Sequence, residues 1–167
     1  MTNEHTPGTT VIMKQYGIGR IITIDTEKIA GLATRLYRIG FESGETKQVP
    51  VLSALVRPIA TSADVDRALV VLTKKRERQH TPWHRKQTEC VAALNKGSIV
   101  DVAAVARDLY VTSEKERNSV TELYEQALTL LALEVAHVRN LPRQGVRGAL
   151  ESTIVQRSID PRLQEKP

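Results

Sequence analysis

At 167 residues and 41% hydrophobic, the chain holds material for one medium domain or two small ones. Its core must rest on Val, Ile, Leu and Ala, since aromatic content is 4% and Phe occurs once. A net charge of +5 and a pI near 9.5 point to an acidic partner, either nucleic acid or an anionic surface. No apolar run approaches the roughly 18 residues of a membrane span, the polar stretch Met1 to Thr10 is unlike a secretory signal, and the lone Cys90 excludes an internal disulfide and fits a reducing cytoplasm.

Residues 8 to 58 read as β. The runs Thr10–Lys14, Arg20–Thr26, Thr34–Phe41, Thr46–Pro50 and Leu55–Arg57 are separated by turn signals at Gly17/Gly19, Ala30-Gly31 and Ser43-Gly44. Tyr37, Ile39 and Phe41 alternate with Arg38 and Gly40, the period of a half-buried strand. Five such short strands predict a small, strongly bent barrel of the SH3 or Tudor kind, which leaves few open edges. The fold class is therefore α+β, because the period changes from Thr61 onward.

Thr61 or Ser62 caps a helix carrying Val65, Ala68, Leu69 and Leu72 on one face. Thr81-Pro82 reads as an N-cap followed by a proline at the first helical position. That second helix presents Trp83, Cys90, Val91 and Leu94 and ends near Gly97. Ser98 caps a third helix with Ile99, Val102, Ala103, Ala106, Leu109 and Tyr110 inward. Ser119 and Glu122 have the spacing of a capping box opening a fourth. Leu123, Ala127, Leu130, Leu131 and Val138 form its stripe, and Leu128, Leu133 and Val135 off that stripe mark it as the central helix of a bundle of four or five. Pro142 ends it. The domain expectation is 8–58, 61–141 and a basic tail 142–167 that either frays or forms one short helix.

Charge is concentrated at one junction. Lys74, Lys75, Arg76, Arg78, Arg85 and Lys86 face Glu77 alone, a local +5 that equals the net charge of the whole chain. A run of cations at a helix C-terminus is ordinarily a solvated end. Here it continues across a break onto the start of the next helix, where backbone N–H groups favour anions. Trp83, the sole tryptophan, sits inside this stretch. Cys90 and Leu94 lie within about 20° of it around the axis, so the indole is either a core residue or a solvent-facing one. If exposed, it stacks on a base for roughly 1–3 kcal/mol, while unstacking a duplex step costs about a few kcal/mol. Such a ring is suited to a step already parted, at a duplex/single-strand junction. No Asn, Gln or Arg set runs along one helix face to read base sequence.

Other chemistry is not expected. His80 and His84 are separated by Pro82 and lack a third ligand nearby. Cys90 belongs to an apolar stripe. Arg107-Asp108 has no nucleophile or second carboxylate spaced to work with it, so a structural role is expected for Asp108. Gly17-Ile18-Gly19 lacks the third glycine of a dinucleotide loop and reads as a turn with positive φ. Neither an enzyme nor a cofactor or metal is expected.

Trp83-His84-Arg85-Lys86, the Leu94-Asn95-Lys96-Gly97 helix end, the run Val102 to Tyr110 and the helix Glu122 to Glu134 resemble the CarD/CdnL-like bacterial transcription regulators. Tyr16 to Arg20, Ile29-Ala30-Gly31 and Val49-Pro50 resemble that family's Tudor-like domain, shared with the transcription-repair coupling factor. The likeness covers about residues 10 to 140. It implies a Tudor-like domain on the β subunit of RNA polymerase, and a helical domain on promoter DNA at the upstream edge of the transcription bubble. Trp83 would then be the wedge that stabilises the open complex, with Arg85 and Lys86 on the backbone beside it; Arg76 and Arg78 of the basic junction and Thr88 of the same helix are expected on the DNA surface with them. Where some members carry arginines on the polymerase-facing edge, this chain has Glu27 and Gln48, with Lys28 and Lys47 adjacent. Thr88 stands where a basic residue can occur, and Met13-Lys14 where an aromatic followed by proline is usual. A cytoplasmic monomer, on the nucleoid through polymerase and off the membrane, is implied. The competing reading is a protein-interaction adaptor whose helical bundle is structural, with Trp83 buried and no direct DNA role. A Tudor-like RNA-binding protein is weaker, since only Tyr16, Tyr37 and Phe41 are available for an aromatic cage and the last two face inward.

Overall fold

The structure, a computed structural model, describes residues 4–74, 81–110 and 118–159. It divides into two compact units, Met1–Ile59 and Ala60–Pro167. A five-stranded antiparallel sheet fills the first and five helices the second, the α+β class expected.

The sheet runs β1 (Thr10–Met13), β2 (Gly17–Ile29), β3 (Leu32–Phe41), β4 (Thr46–Pro50) and β5 (Arg57–Pro58), in the spatial order β4-β3-β2-β1-β5. This is a meander whose last strand returns beside the first, the connectivity of a Tudor-like unit. Val11, Met13, Ile21, Tyr37, Ile39, Phe41, Val49 and Val56 form its core, so Tyr37 and Phe41 do face inward. Buried Tyr37 keeps its hydroxyl satisfied by accepting the His5 N–H at 2.8 Å.

β2 is longer at both ends than its apolar run suggests. Gly17 has φ +77 and closes the β1–β2 turn, as a glycine there should. Gly19 is different: it is a strand residue without positive φ, and a Cβ on it would lie 2.7 Å from Ile39 Cγ2 and Phe41 Cδ1. Its lack of a side chain admits β3's side chains to the core. At the far end Ala30 (φ 50) and Gly31 (φ 83) make a two-residue turn of the I′ kind between paired Ile29 and Leu32. The β2–β3 register shifts between Ile21 and Thr23, a bulge that leaves Ile22 half-exposed.

The helices are α1 (Ser62–Thr73), α2 (Trp83–Lys96), α3 (Ile99–Leu109), α4 (Asn118–Arg139) and α5 (Arg143–Ile159). Thr61 and Ser98 cap α1 and α3, each in a reciprocal box with the acid three residues on, Asp64 and Asp101. Val65, Ala68 and Leu72 of α1 are buried, as are the expected α3 positions up to Leu109 together with Val105. α4 buries Leu123, Ala127, Leu128, Leu130, Leu131 and Val135, so it is the central helix on more than one face. Buried Glu134 accepts the Ala60 N–H at 2.8 Å and ties the start of this unit to α4.

Two helix starts differ from expectation. α2 takes Pro82 as its N-cap and begins at Trp83, one residue later than Thr81-Pro82 suggests. α4 begins at Asn118, which puts Ser119 inside the helix instead of at its cap. Its C-terminus closes before Pro142, at Asn140 with φ 53, where Leu141 N–H reaches Ala136 O and Asn140 N–H reaches His137 O, the paired bonds of a Schellman ending. The segment after Pro142 holds a 17-residue helix. Val146, Leu150 and Ile154 form a buried stripe four residues apart, and that apolar period overcomes Gly145 and Gly148.

Candidate nucleic-acid interface

α2 buries Cys90 and Leu94 and nothing before them. Its first two turns, Trp83 to Glu89, are half-buried or exposed throughout. Trp83 is the first helical residue and half-buried, neither sealed under the bundle nor free of it. It stands at the outer end of the stripe whose inner end is Cys90 and Leu94. Burial raises the Cys90 thiol's pKa, with the nearby Lys86 charge opposing.

The helix start is electrostatically positive. Pro82 makes no side-chain capping bond, and the first turn contains no acid. The first helical bond runs from Lys86 N–H to Pro82 O at 3.1 Å, so the N–H groups of Trp83, His84 and Arg85 precede the ladder. α1 shows the opposite arrangement. Bonds from the Thr61 side chain and backbone, then from Arg67, hold the Asp64 carboxyl at a pKa of about 2.

The cations are placed unequally. By helical geometry Lys86 lies about 60° around the axis from Trp83, whereas Arg85 lies about 160° away and Thr88 about 140°. Lys86 thus shares the flank of the indole, and Arg85 stands across the helix end from it. Arg85 Nε donates to Glu89 Oε1 at 3.2 Å with its side chain 75% exposed. Thr88 Oγ1 donates to His84 O at 3.1 Å and is committed to its own helix. Gln87, which sequence reasoning passed over, lies about 40° from Trp83 and is half-buried; its i, i+4 spacing was the available signal. Arg76, Arg78 and His80 lie outside the described residues.

On the sheet, Gln48 Nε2 donates to Glu27 Oε1 at 2.7 Å, joining β4 to β2 across β3. Asp25 and Arg38 pair beside them at 2.9 Å. Lys28 and Lys47 do not join this group, since neighbours along a strand point to opposite faces. Lys47 Nζ instead lies 5.2 Å from the centroid of the Tyr16 ring, against the core side. Among the described residues no cluster of His, Cys, Asp or Glu could hold a metal ion, and no helix is long and apolar enough to cross a membrane.

The family model described as the C-terminal domain of CarD matches residues 67–151, from within α1 to within α5. The chain belongs to the CarD/CdnL-like family. A search of curated proteins returns no significant match. The matched stretch contains the whole of α2, with Trp83, Arg85, Lys86 and Thr88. Membership makes the protein a CarD-like transcription regulator, in a family of non-enzymatic transcription factors. The sheet unit lies outside the matched residues.

Proposed function

We propose that this CarD-like regulator binds RNA polymerase through its sheet unit and steadies the open promoter complex with the start of α2. The Trp83 indole braces the upstream edge of the bubble, and Lys86 and Arg85 hold phosphates to either side. The observation that carries the reading is a tryptophan outside the buried core, at a helix start that has cations but no acid and no side-chain cap. Base stacking there is worth roughly 1–3 kcal/mol. That is too little to open a closed duplex, and enough to slow the collapse of strands already parted. Free N–H groups at the helix end and the Lys86 ammonium suit phosphate oxygens. The Glu27–Gln48 and Asp25–Arg38 face of the sheet is the polar surface offered to the β subunit. The protein works in the cytoplasm as a monomer on polymerase.

The adaptor reading requires an indole sealed in the bundle, and Trp83 stands outside the buried set. The deciding experiment uses purified polymerase and a promoter, with the lifetime of the open complex as readout. The wild-type protein should lengthen it and Trp83→Ala should not. Equal lifetimes with both proteins would refute the wedge. A pull-down read for the β subunit tests the sheet's share.

A further inference from the structure

Trp83, Gln87, Cys90 and Leu94 form one seam along α2, within about 60° of one another around the axis. Cys90 and Leu94 are buried, and Trp83 and Gln87 are half-buried. Three of these four are side chains that a bundle packs readily. The fourth is an amide, with a carbonyl that accepts hydrogen bonds and an NH2 that donates them. Were packing its only role, an apolar residue of similar size would suit the seam better, because a partly desolvated amide costs free energy until it is paired. Arg85 bonds Glu89 and Thr88 bonds the His84 carbonyl, whereas among the described residues nothing bonds the Gln87 side chain.

The surroundings of Trp83 are two-sided. Lys86 lies about 60° to one side of the indole and Gln87 about 40° to the other. Both stand within one turn of it, at the i, i+3 and i, i+4 spacings where side chains meet. Helical side chains lean toward the N-terminus, so each reaches back over the turn that carries Trp83. A nucleotide has a matching polarity, with a phosphate at one end and a hydrogen-bonding base edge at the other. A base laid on the indole with its phosphate at Lys86 turns that edge toward Gln87. In a closed duplex the edge is already paired. At a parted step it is free, and an amide that can turn over suits the donor and acceptor pattern of any base.

We propose that Gln87 is a specificity-determining residue for parted strands: its amide hydrogen-bonds the free edge of the base stacked on Trp83, while Lys86 holds the phosphate of that nucleotide. This rests on the reading of Trp83 as the wedge at the bubble edge. The test uses full-length protein and a forked duplex whose first unpaired nucleotide on each strand is thymidine. The same fork is made with difluorotoluene there, a thymine isostere that stacks but scarcely hydrogen-bonds, and fluorescence anisotropy gives both affinities. Wild-type protein should bind the thymidine fork about two- to twelve-fold more tightly, the net worth of one neutral hydrogen bond. Gln87→Leu should bind both forks alike, at the wild-type affinity for the isostere fork. Gln87→Met is read by the same rule if the leucine variant does not fold. An equal loss on both forks would overturn the proposal, since Gln87 would then only prop the indole. A variant that still prefers thymidine would overturn it too. Trp83→Ala is the reference. If it binds the forks as wild type does, the wedge reading has failed and takes the Gln87 role with it; if it binds more weakly but wild-type protein does not distinguish the forks, the Gln87 role fails alone.

Discussion

At the start of α3, Ser98 and Asp101 exchange hydrogen bonds between side chain and backbone; at the start of α2, Pro82 offers no such bond and the first turn holds no acid. Both helices are amphipathic and both pack in the same bundle. α3 buries residues from its first position, Ile99, whereas α2 buries none before Cys90. An absent cap costs about 1 kcal/mol, so the α2 start gives up stability that the same sequence secures elsewhere. It leaves a positive helix end with cations and a half-buried indole, groups that the fold has not used up. Helix starts, compared within one bundle, separate residues kept for folding from residues kept for contact.

The comparison breaks most easily at Trp83. Trp83→Ala should shorten the open-complex lifetime by the stacking term, about 1–3 kcal/mol or roughly five- to 150-fold, while unfolding by denaturant changes far less than for a buried tryptophan. The counterpart at α3 is Ser98→Ala, expected to lower unfolding stability by about 1 kcal/mol and to leave the lifetime alone. If Ser98→Ala shortened the lifetime as much as Trp83→Ala, the division between the two starts would be false. At α1, Asp64 should titrate near 2 by NMR, and Thr61→Ala should move it up toward the ordinary aspartate value of 3.8. A carboxyl depressed on folding adds stability that is fully present above 3.8 and is lost as pH falls through about 2. A titration unmoved by Thr61→Ala would mean that Arg67, and not the box, sets it.

Much of this was readable in the residues themselves. Tyr37, Ile39 and Phe41 declared their strand by alternation, and Thr61 and Ser98 declared their helices by capping chemistry. These signals are local. What depended on distant partners was not readable: the bulge near Ile22 shifts register within β2, and the Glu27–Gln48 bond across β3 follows from three-strand pairing. Gly19 looked like a turn glycine because its true constraint, the approach of Ile39 and Phe41, comes from another strand. At the site, the coincidence of Trp83 with the basic stretch was plain. That the indole is only half-buried was not, because its helical angle matches Cys90 and Leu94 while its height along the axis carries it past them. The length of α5 was not legible either: the stripe from Val146 appears only once Gly145 and Gly148 are accepted inside it.

Smaller effects sharpen the contrast between the two helix starts. Pro82→Asp would give α2 the kind of cap α3 has, with a carboxylate favoured by the helix dipole, and should raise stability by about 0.5–1 kcal/mol. The same carboxylate would sit where a phosphate is proposed, so affinity for a forked duplex should fall while the fold gains. A variant that gained in both would deny the anion role of this helix end. Smallest is Glu89→Ala. The Arg85–Glu89 pair is an exposed i, i+4 bridge, worth only about 0.3–0.5 kcal/mol to the helix. Its removal should barely move the thermal midpoint. It releases a guanidinium and deletes a negative charge at the edge of the proposed surface, so forked-duplex affinity at low salt should rise about two-fold, by the same few tenths of a kcal/mol. Added salt should erase that gain, since screening removes what an exposed charge contributes. An affinity unchanged at every salt concentration would show that Arg85, across the helix end from Trp83, touches no phosphate, and would leave Lys86 as the described cation working beside the indole.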